Sequence, residues 1–214
     1  MISFIQQNWS DIFSRAGQHA WLAGLPLVIG LIISLPLGWL ACRTPWLRPI
    51  LIGGSGLLYT IPSLALFVLM PLIIGTNILD PVNVIIAMTL YTLALLVRTV
   101  ADALGSISEE TTQAATAMGY TSLCRLLAVD LPLAMPVIAS GLRVVAISNI
   151  SIVSVAALLG IPQLGYYLTD GYNNIYWPEM WTGVVGCVVL ALIFDLVILV
   201  LARLLTPWQR AVVT

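Results

Sequence analysis

The feature that most restricts this chain is the length of its runs without a charge. Residues 20–42 contain no charged side chain, and neither do residues 49–79. About 20 apolar residues cross the hydrocarbon of a bilayer as a helix. Within hydrocarbon every backbone N–H and C=O must be satisfied inside its own segment, which makes such runs helical. The 214-residue chain is 60% hydrophobic and 8% charged, with a mean hydropathy of +1.06. Soluble domains are ~25% charged, so the sequence predicts an all-α polytopic membrane protein built as a single bundle.

Five spans are expected. The first is residues 20–42, with Pro26 and Pro36 bending it. The second lies within residues 49–79 and is interrupted around Tyr59, Thr60, Ile61, Pro62 and Ser63, because Pro62 has no N–H to give and leaves a carbonyl free. The third runs from Asp80 and Pro81 to about Leu104. The fourth covers about 136–159 and is closed by the turn at 160–165. The fifth covers about 180–205. Ahead of them, Ile2, Ile5, Trp9, Ile12 and Phe13 recur at helical spacing, with Asp11 and Arg15 at i,i+4. That pattern predicts an N-terminal interfacial helix over residues 1–18, with Trp9 as anchor and residues 19–214 as the transmembrane domain. Residues 168–177 read as a polar, aromatic surface loop.

Several function classes drop out. All eight basic residues are arginine, so the lysine of a phosphate-binding P-loop is missing and ATP is not bound by that route. No basic patch points to nucleic acid. Cys42, Cys124 and Cys187 lack metal or redox spacing and read as small buried hydrophobes. His19 is the single histidine, which argues against a histidine-based metal site. No cofactor is expected, and the N-terminal segment lacks the pattern of a cleavable signal peptide.

Charge concentrates instead in residues 108–143, which carry Glu109, Glu110, Arg125, Asp130 and Arg143. This segment must face water. Residues 109–118 are good helix formers with small alanines that allow close approach, and Gly119 permits the positive φ that ends a helix. Thr121 or Ser122 can cap a second short helix through Leu123, Leu126 and Leu127, with Pro132 stopping it. The expected product is a helix-turn-helix knob. The arginines orient it: with the N-terminus outside, Arg43, Arg48, Arg125, Arg203 and Arg210 fall on the cytoplasmic side. Arg98 and Arg143 then lie in the cytoplasmic halves of their spans, and Arg15 alone remains outside. The knob, at about 108–135, is then cytoplasmic.

Gln113, Ala114 and Ala115, followed by Gly119 and by Val129, Asp130, Leu131 and Pro132, resemble the Glu-Ala-Ala loop of bacterial ABC importer permeases. Tyr59 to Phe67, the run Leu131, Pro132, Leu133, Ala134, Met135, Pro136, and Gly141, Leu142, Arg143 are similar more narrowly to permeases for glycine betaine, choline and proline betaine. The resemblance covers about residues 22–210 and implies a type I importer permease in the plasma (inner) membrane. Its implied partners are two ATPase subunits, a second permease subunit, identical or not, an extracytoplasmic solute-binding protein, and surrounding lipid. It implies that Glu109, Glu110, Gln113, Ala114, Ala115, Gly119, Tyr120 and Arg125 couple to the ATPase. Gln113 departs from the motif's glutamate, with Glu109 and Glu110 one turn earlier. Pro162 and Gln163 replace the first half of a Gly-Gly-Leu-Gly turn. Permeases for other small solutes such as amino acids, stand-alone secondary transporters and a scaffold without transport are the competing readings.

Within the spans, Tyr59, Pro62, Ser63, Ser148, Asn149 and Ser151 are candidates for a translocation path. The serines serve equally for close helix packing, and the tyrosines for anchoring at the interface. A charge at the bilayer centre costs ~2.5–3.5 kcal/mol on insertion scales, so intramembrane charges should pair. Arg98 with Asp102 is one expected pair at i,i+4. Arg143 with Asp195 is another, since both lie at comparable depth above the cytoplasmic ends of their spans.

Overall fold

The computed structural model describes residues 1–208. Arg210, counted above for orientation, lies outside them. The order of helices is α1 (Ile2–Gln7), α2 (Trp9–Arg43), α3 (Leu47–Thr60), α4 (Ser63–Ile74), α5 (Pro81–Gly105), α6 (Glu109–Ala117), α7 (Ser122–Arg125), α8 (Leu131–Ser154), α9 (Tyr166–Asn173) and α10 (Trp177–Leu205). A π-turn, Leu126–Asp130, joins α7 to α8, and a 3-10 turn, Val155–Leu159, follows α8. Among the described residues four helical segments are long and apolar enough to cross a membrane, and the bent pair α3 and α4 makes five.

Helix α5 is the centre of the bundle. Asp80 caps it, its carboxylate accepting the Val82 N–H at 2.9 Å, and Pro81 occupies the first turn, where its missing N–H costs nothing. Val84, Ala87, Met88, Tyr91, Ala94, Leu96, Val97, Val100, Ala101 and Ala103 are all buried, so α5 presents apolar surface on nearly every side. Helix α2 lies along it through a seam of small residues. A side chain on Gly30 would collide with Thr92, and a Cβ on Gly38 would stand 2.6 Å from Val100. Hydrocarbon gives no hydrophobic drive for helices to associate, so close backbone approach and dispersion carry the packing. Helix α8 meets α5 the same way, with Gly141 against Thr99.

Three expectations are corrected in detail. The boundary at residue 18 falls inside a continuous helix: α1 ends at Gln7, and Trp9 already opens α2, because nothing breaks the helix between Trp9 and Pro26 and Arg15 bonds to Asp11 at 2.7 Å within it. Pro132 does not stop the knob's second helix. The π-turn takes up one extra residue where proline withholds its N–H, and α8 continues through it. Finally, residues 168–173 of the expected surface loop are helical, as part of α9, in which Tyr167 and Gly171 turn inward while Tyr172 and Asn173 stay exposed. The second span behaves as its sequence suggests. Helices α3 and α4 meet at 104° around Ile61 and Pro62, and the Tyr91 hydroxyl donates to the carbonyl of Ile61.

Candidate functional site: the knob and the two ends of the bundle

The knob is built by capping. Ser108 caps α6, its Oγ accepting the Thr111 N–H at 3.3 Å, while Glu109 and Glu110 occupy the first turn, where the helix dipole favours negative charge. Gly119, at φ +89°, ends the helix. Its N–H donates to Thr116 O at 3.0 Å and the Tyr120 N–H donates to Ala115 O at 3.2 Å, the paired bonds of a Schellman motif. Arg125 then fixes the angle between the two short helices. It donates to Thr116 Oγ1 on α6 and to Asp130 Oδ2 in the π-turn, each at 3.2 Å. Cys124 is exposed here, contrary to its reading as a buried hydrophobe.

The candidate coupling residues divide by exposure. Glu109, Glu110, Gln113, Ala114 and Gly119 are exposed, with Met118, Leu123 and Leu127 beside them. Gln113 Nε2 donates to Glu109 Oε1 at 3.2 Å, so these two side chains act together. Ala115 is buried at 1% and packs inward, out of a partner's reach. Tyr120 is half-buried behind it.

At the same end of the bundle, Arg48 and Arg98 converge on Asp102 at 3.2 and 3.6 Å. Deeper in, Arg143 on α8 and Asp195 on α10 form a bidentate pair, Nε to Oδ1 at 2.6 Å and Nη2 to Oδ2 at 2.8 Å. That fork-to-fork geometry is the one arginine makes best with a carboxylate.

The path candidates are less uniform. Tyr59 and Pro62 are exposed at the α3–α4 bend, with Ser63 half-buried beside them. Ser151 is exposed on α8 and Ser148 is half-buried. Asn149 is enclosed instead, at 1% exposure. Its Nδ2 donates to Thr92 Oγ1 at 2.9 Å and to Ala23 O at 3.4 Å, so the amide ties α8 to α5 and α2 and does not line an opening.

The opposite end holds a polar cluster that the sequence did not single out as a site. Arg15 stacks on the Tyr166 ring at 3.8 Å from its centroid and bonds to Asp11, while the Tyr167 hydroxyl donates to Asp11 Oδ2 at 2.6 Å. Burial pushes both tyrosine hydroxyls upward in pKa, and the hydrogen bond to Asp11 adds to this at Tyr167. A pocket of about 410 Å³ opens beside them, lined by Arg15, Tyr166, Asp170 and Asn173 with the turn at Gly160 and Pro162. Beneath it His19 and Gln163 are fully buried and bonded to each other. The available signals were faint: a lone histidine on the face shared by Leu22, Ala23 and Pro26, and an amide in a turn of glycines.

Residues 21–211 match the family described as the binding-protein-dependent transport system inner membrane component. The chain belongs to that family. The osmoprotectant import permease protein OsmW of Salmonella typhimurium is 35% identical over 96% of this chain and 97% of its own length. The glycine betaine/carnitine/choline transport system permease protein OpuCB of Bacillus subtilis is 28% identical, over 97% and 94% respectively. Among solved structures, the MetNI methionine ABC transporter in an inward-facing form superposes with a TM-score of 0.83, covering 94% of this chain and 98% of that one at 22% identity. That likeness establishes the fold. The permease is therefore an inner membrane component of a binding-protein-dependent transport system, and its described elements are all helical.

Proposed function

We propose that the permease carries osmoprotectants of the quaternary-ammonium class, with glycine betaine, choline, proline betaine and carnitine as the candidates. The observation that carries this reading is the end-to-end similarity to an osmoprotectant import permease at 35% identity. In this reading two permease subunits enclose the path, two separate ATPase subunits dock on the knobs, and a solute-binding protein delivers its cargo from outside. The N-terminus is outside and the C-terminus cytoplasmic. This orientation puts the Arg43, Arg48 and Arg125 end inside, as the excess of arginine in cytoplasmic loops requires. The 9-residue helix α6 with its exposed Met118 and its acidic first turn suits a cleft in a partner with a basic rim.

The test is ATP-dependent uptake by the complete complex in proteoliposomes. Labelled glycine betaine, choline and methionine would be offered separately, each with the complex's own binding protein. Uptake of a quaternary ammonium but not of methionine is the expected result. Uptake of methionine alone would move the permease to the amino-acid reading, for which the fold of its structural neighbour offers an opening.

A further inference from the structure

The corner between α3 and α4 leaves polar groups open at a depth where lipid has nothing to offer them. Helix α5 gives that depth. Tyr91, whose hydroxyl donates to Ile61 O, stands about 15 Å along α5 from Pro81 and about 21 Å from Gly105 at 1.5 Å per residue. The corner therefore lies well inside the ~30 Å of hydrocarbon, whichever way the chain is turned. Hydrogen bonds account for only part of the end of α3. Leu57 O accepts the Thr60 hydroxyl at 2.7 Å, Leu58 O accepts the Ile61 N–H at 3.3 Å, and Ile61 O takes Tyr91. The carbonyls of Tyr59 and Thr60, and the hydroxyls of Tyr59 and Ser63, have no partner among the described residues. Tyr59, Thr60 and Pro62 are also exposed. Irregular backbone exposed to lipid does not occur within hydrocarbon, where every unsatisfied group is costly, and at membrane depth such chain lines water. The corner thus belongs on the wall of an aqueous path.

Its chemistry favours one kind of solute. Carbonyls in the last turn of a helix carry the negative end of its dipole, and these leave the corner along the axis of α3. The first N–H groups of α4 leave along a different axis, since the two helices meet at 104°. Tyr59 adds an aromatic ring, packed edge-to-face with the buried Tyr91 at 5.7 Å between centroids. No charged side chain occurs from residue 49 to residue 79, so no carboxylate is at hand to replace the water around a small, hard cation. A bulky ammonium without N–H groups is weakly hydrated and needs none, because a π face and a set of carbonyl dipoles attract it directly.

We propose that the Tyr59 ring, together with the carbonyls of Tyr59 and Thr60, is a binding point in the path for a quaternary ammonium group, with Tyr59 as its specificity-determining residue. The absence of a carboxylate keeps the site weak, as transit requires: a solute must be able to leave as well as enter. This rests on the reading above for the second subunit that closes the path and for the class of solute.

The test uses tetramethylammonium, which is not one of the candidate cargoes, on the complete complex in lipid nanodiscs without ATP or binding protein. In a permease lacking Cys42, Cys124 and Cys187, Thr60→Cys is treated with a neutral, water-soluble thiol reagent. A cysteine in hydrocarbon stays protonated and inert, so rapid labelling is expected only if the corner meets water. Tetramethylammonium should slow the labelling in a saturable manner. Sodium chloride should not, nor should tert-butanol, which has a similar shape and no charge. Adding Tyr59→Leu should raise the half-protecting concentration about tenfold, whereas Tyr59→Phe should leave it within about twofold, as a cation–π contact requires. Should Tyr59→Leu assemble poorly, phenylalanine and its tetrafluorinated analogue at position 59 give the same comparison at nearly constant shape, with the fluorinated ring protecting less. An unreactive cysteine, equal protection by tert-butanol, or a half-protecting concentration indifferent to the ring at position 59 each overturns the proposal. No step measures uptake. A complex that carries methionine and no quaternary ammonium fails the proposed function and leaves protection by tetramethylammonium to be read, while uptake of glycine betaine without that protection fails this inference alone.

Discussion

Asn149 illustrates what a single polar side chain does in a bundle held by packing alone. Its amide donates to Thr92 Oγ1 and Ala23 O from a fully enclosed position, and hydrogen bonds of this kind in membrane proteins contribute about 0.6 kcal/mol on average, at most about 1.7. Asn149→Leu leaves Thr92 without its donor and should lower thermal stability in detergent, while adding Thr92→Val should recover part of the loss. The Arg143–Asp195 pair predicts a stronger version. Asp195→Ala strands a guanidinium on α8 and should cut the steady-state amount of folded permease about several-fold. Arg143→Ala in the same protein should restore some of it, as read by fluorescence-detected size-exclusion, and a double variant no better than the single would separate the two residues. The depth of Arg143 and Asp195 along their spans was readable from the sequence, because charge in an apolar run advertises itself. The burial of His19 was not. It depends on Gln163, 144 positions away, and neither residue carries a local sign of the other.

Among the elements, the knob was the most legible, and for a physical reason: Ser108, Gly119 and the acidic first turn are local signals that act within a few residues. Its second half was less so. Pro132 reads as a stop in any window-based argument, and only the accommodation of an extra residue in Leu126–Asp130 lets the helix run on. Two predictions belong here. Gly119→Val places a β-branched residue at φ +89°, which disfavours the Schellman turn. Uptake and transport-stimulated ATPase should fall together while insertion is unchanged. Arg125→Ala leaves the carboxylate of Asp130, a buried residue whose Oδ1 has no partner among the described residues, without its cation. Removing one member of a part-buried pair leaves a poorly solvated carboxylate behind, so the knob should become sensitive to proteolysis before the bundle does. Equal sensitivity of knob and bundle would mean that Arg125 does not hold the angle.

For the whole molecule, the orientation proposed from the arginine count is checked by labelling. Single cysteines at Asn173 and at Glu110, in a protein without Cys42, Cys124 and Cys187, should react from opposite faces, with Asn173→Cys alone reached by an impermeant reagent in intact cells. Labelling of Glu110→Cys in its place would invert the chain. The number and order of spans came from charge-free runs, whereas their mutual contacts came from shape, which a sequence displays only as scattered glycines. One of those contacts makes the permease a lever. Helix continues from Ser122 to Leu159, so the knob and the outer turn are two ends of a single rod, and Gly141 rests on Thr99 part-way along it. At 1.5 Å per residue the arms on either side are about 28 and 27 Å long. A stiff rod turning on that fulcrum would move its ends in opposite senses, so a knob displaced sideways by about 3 Å would swing the start of the outer turn by about 3 Å the other way.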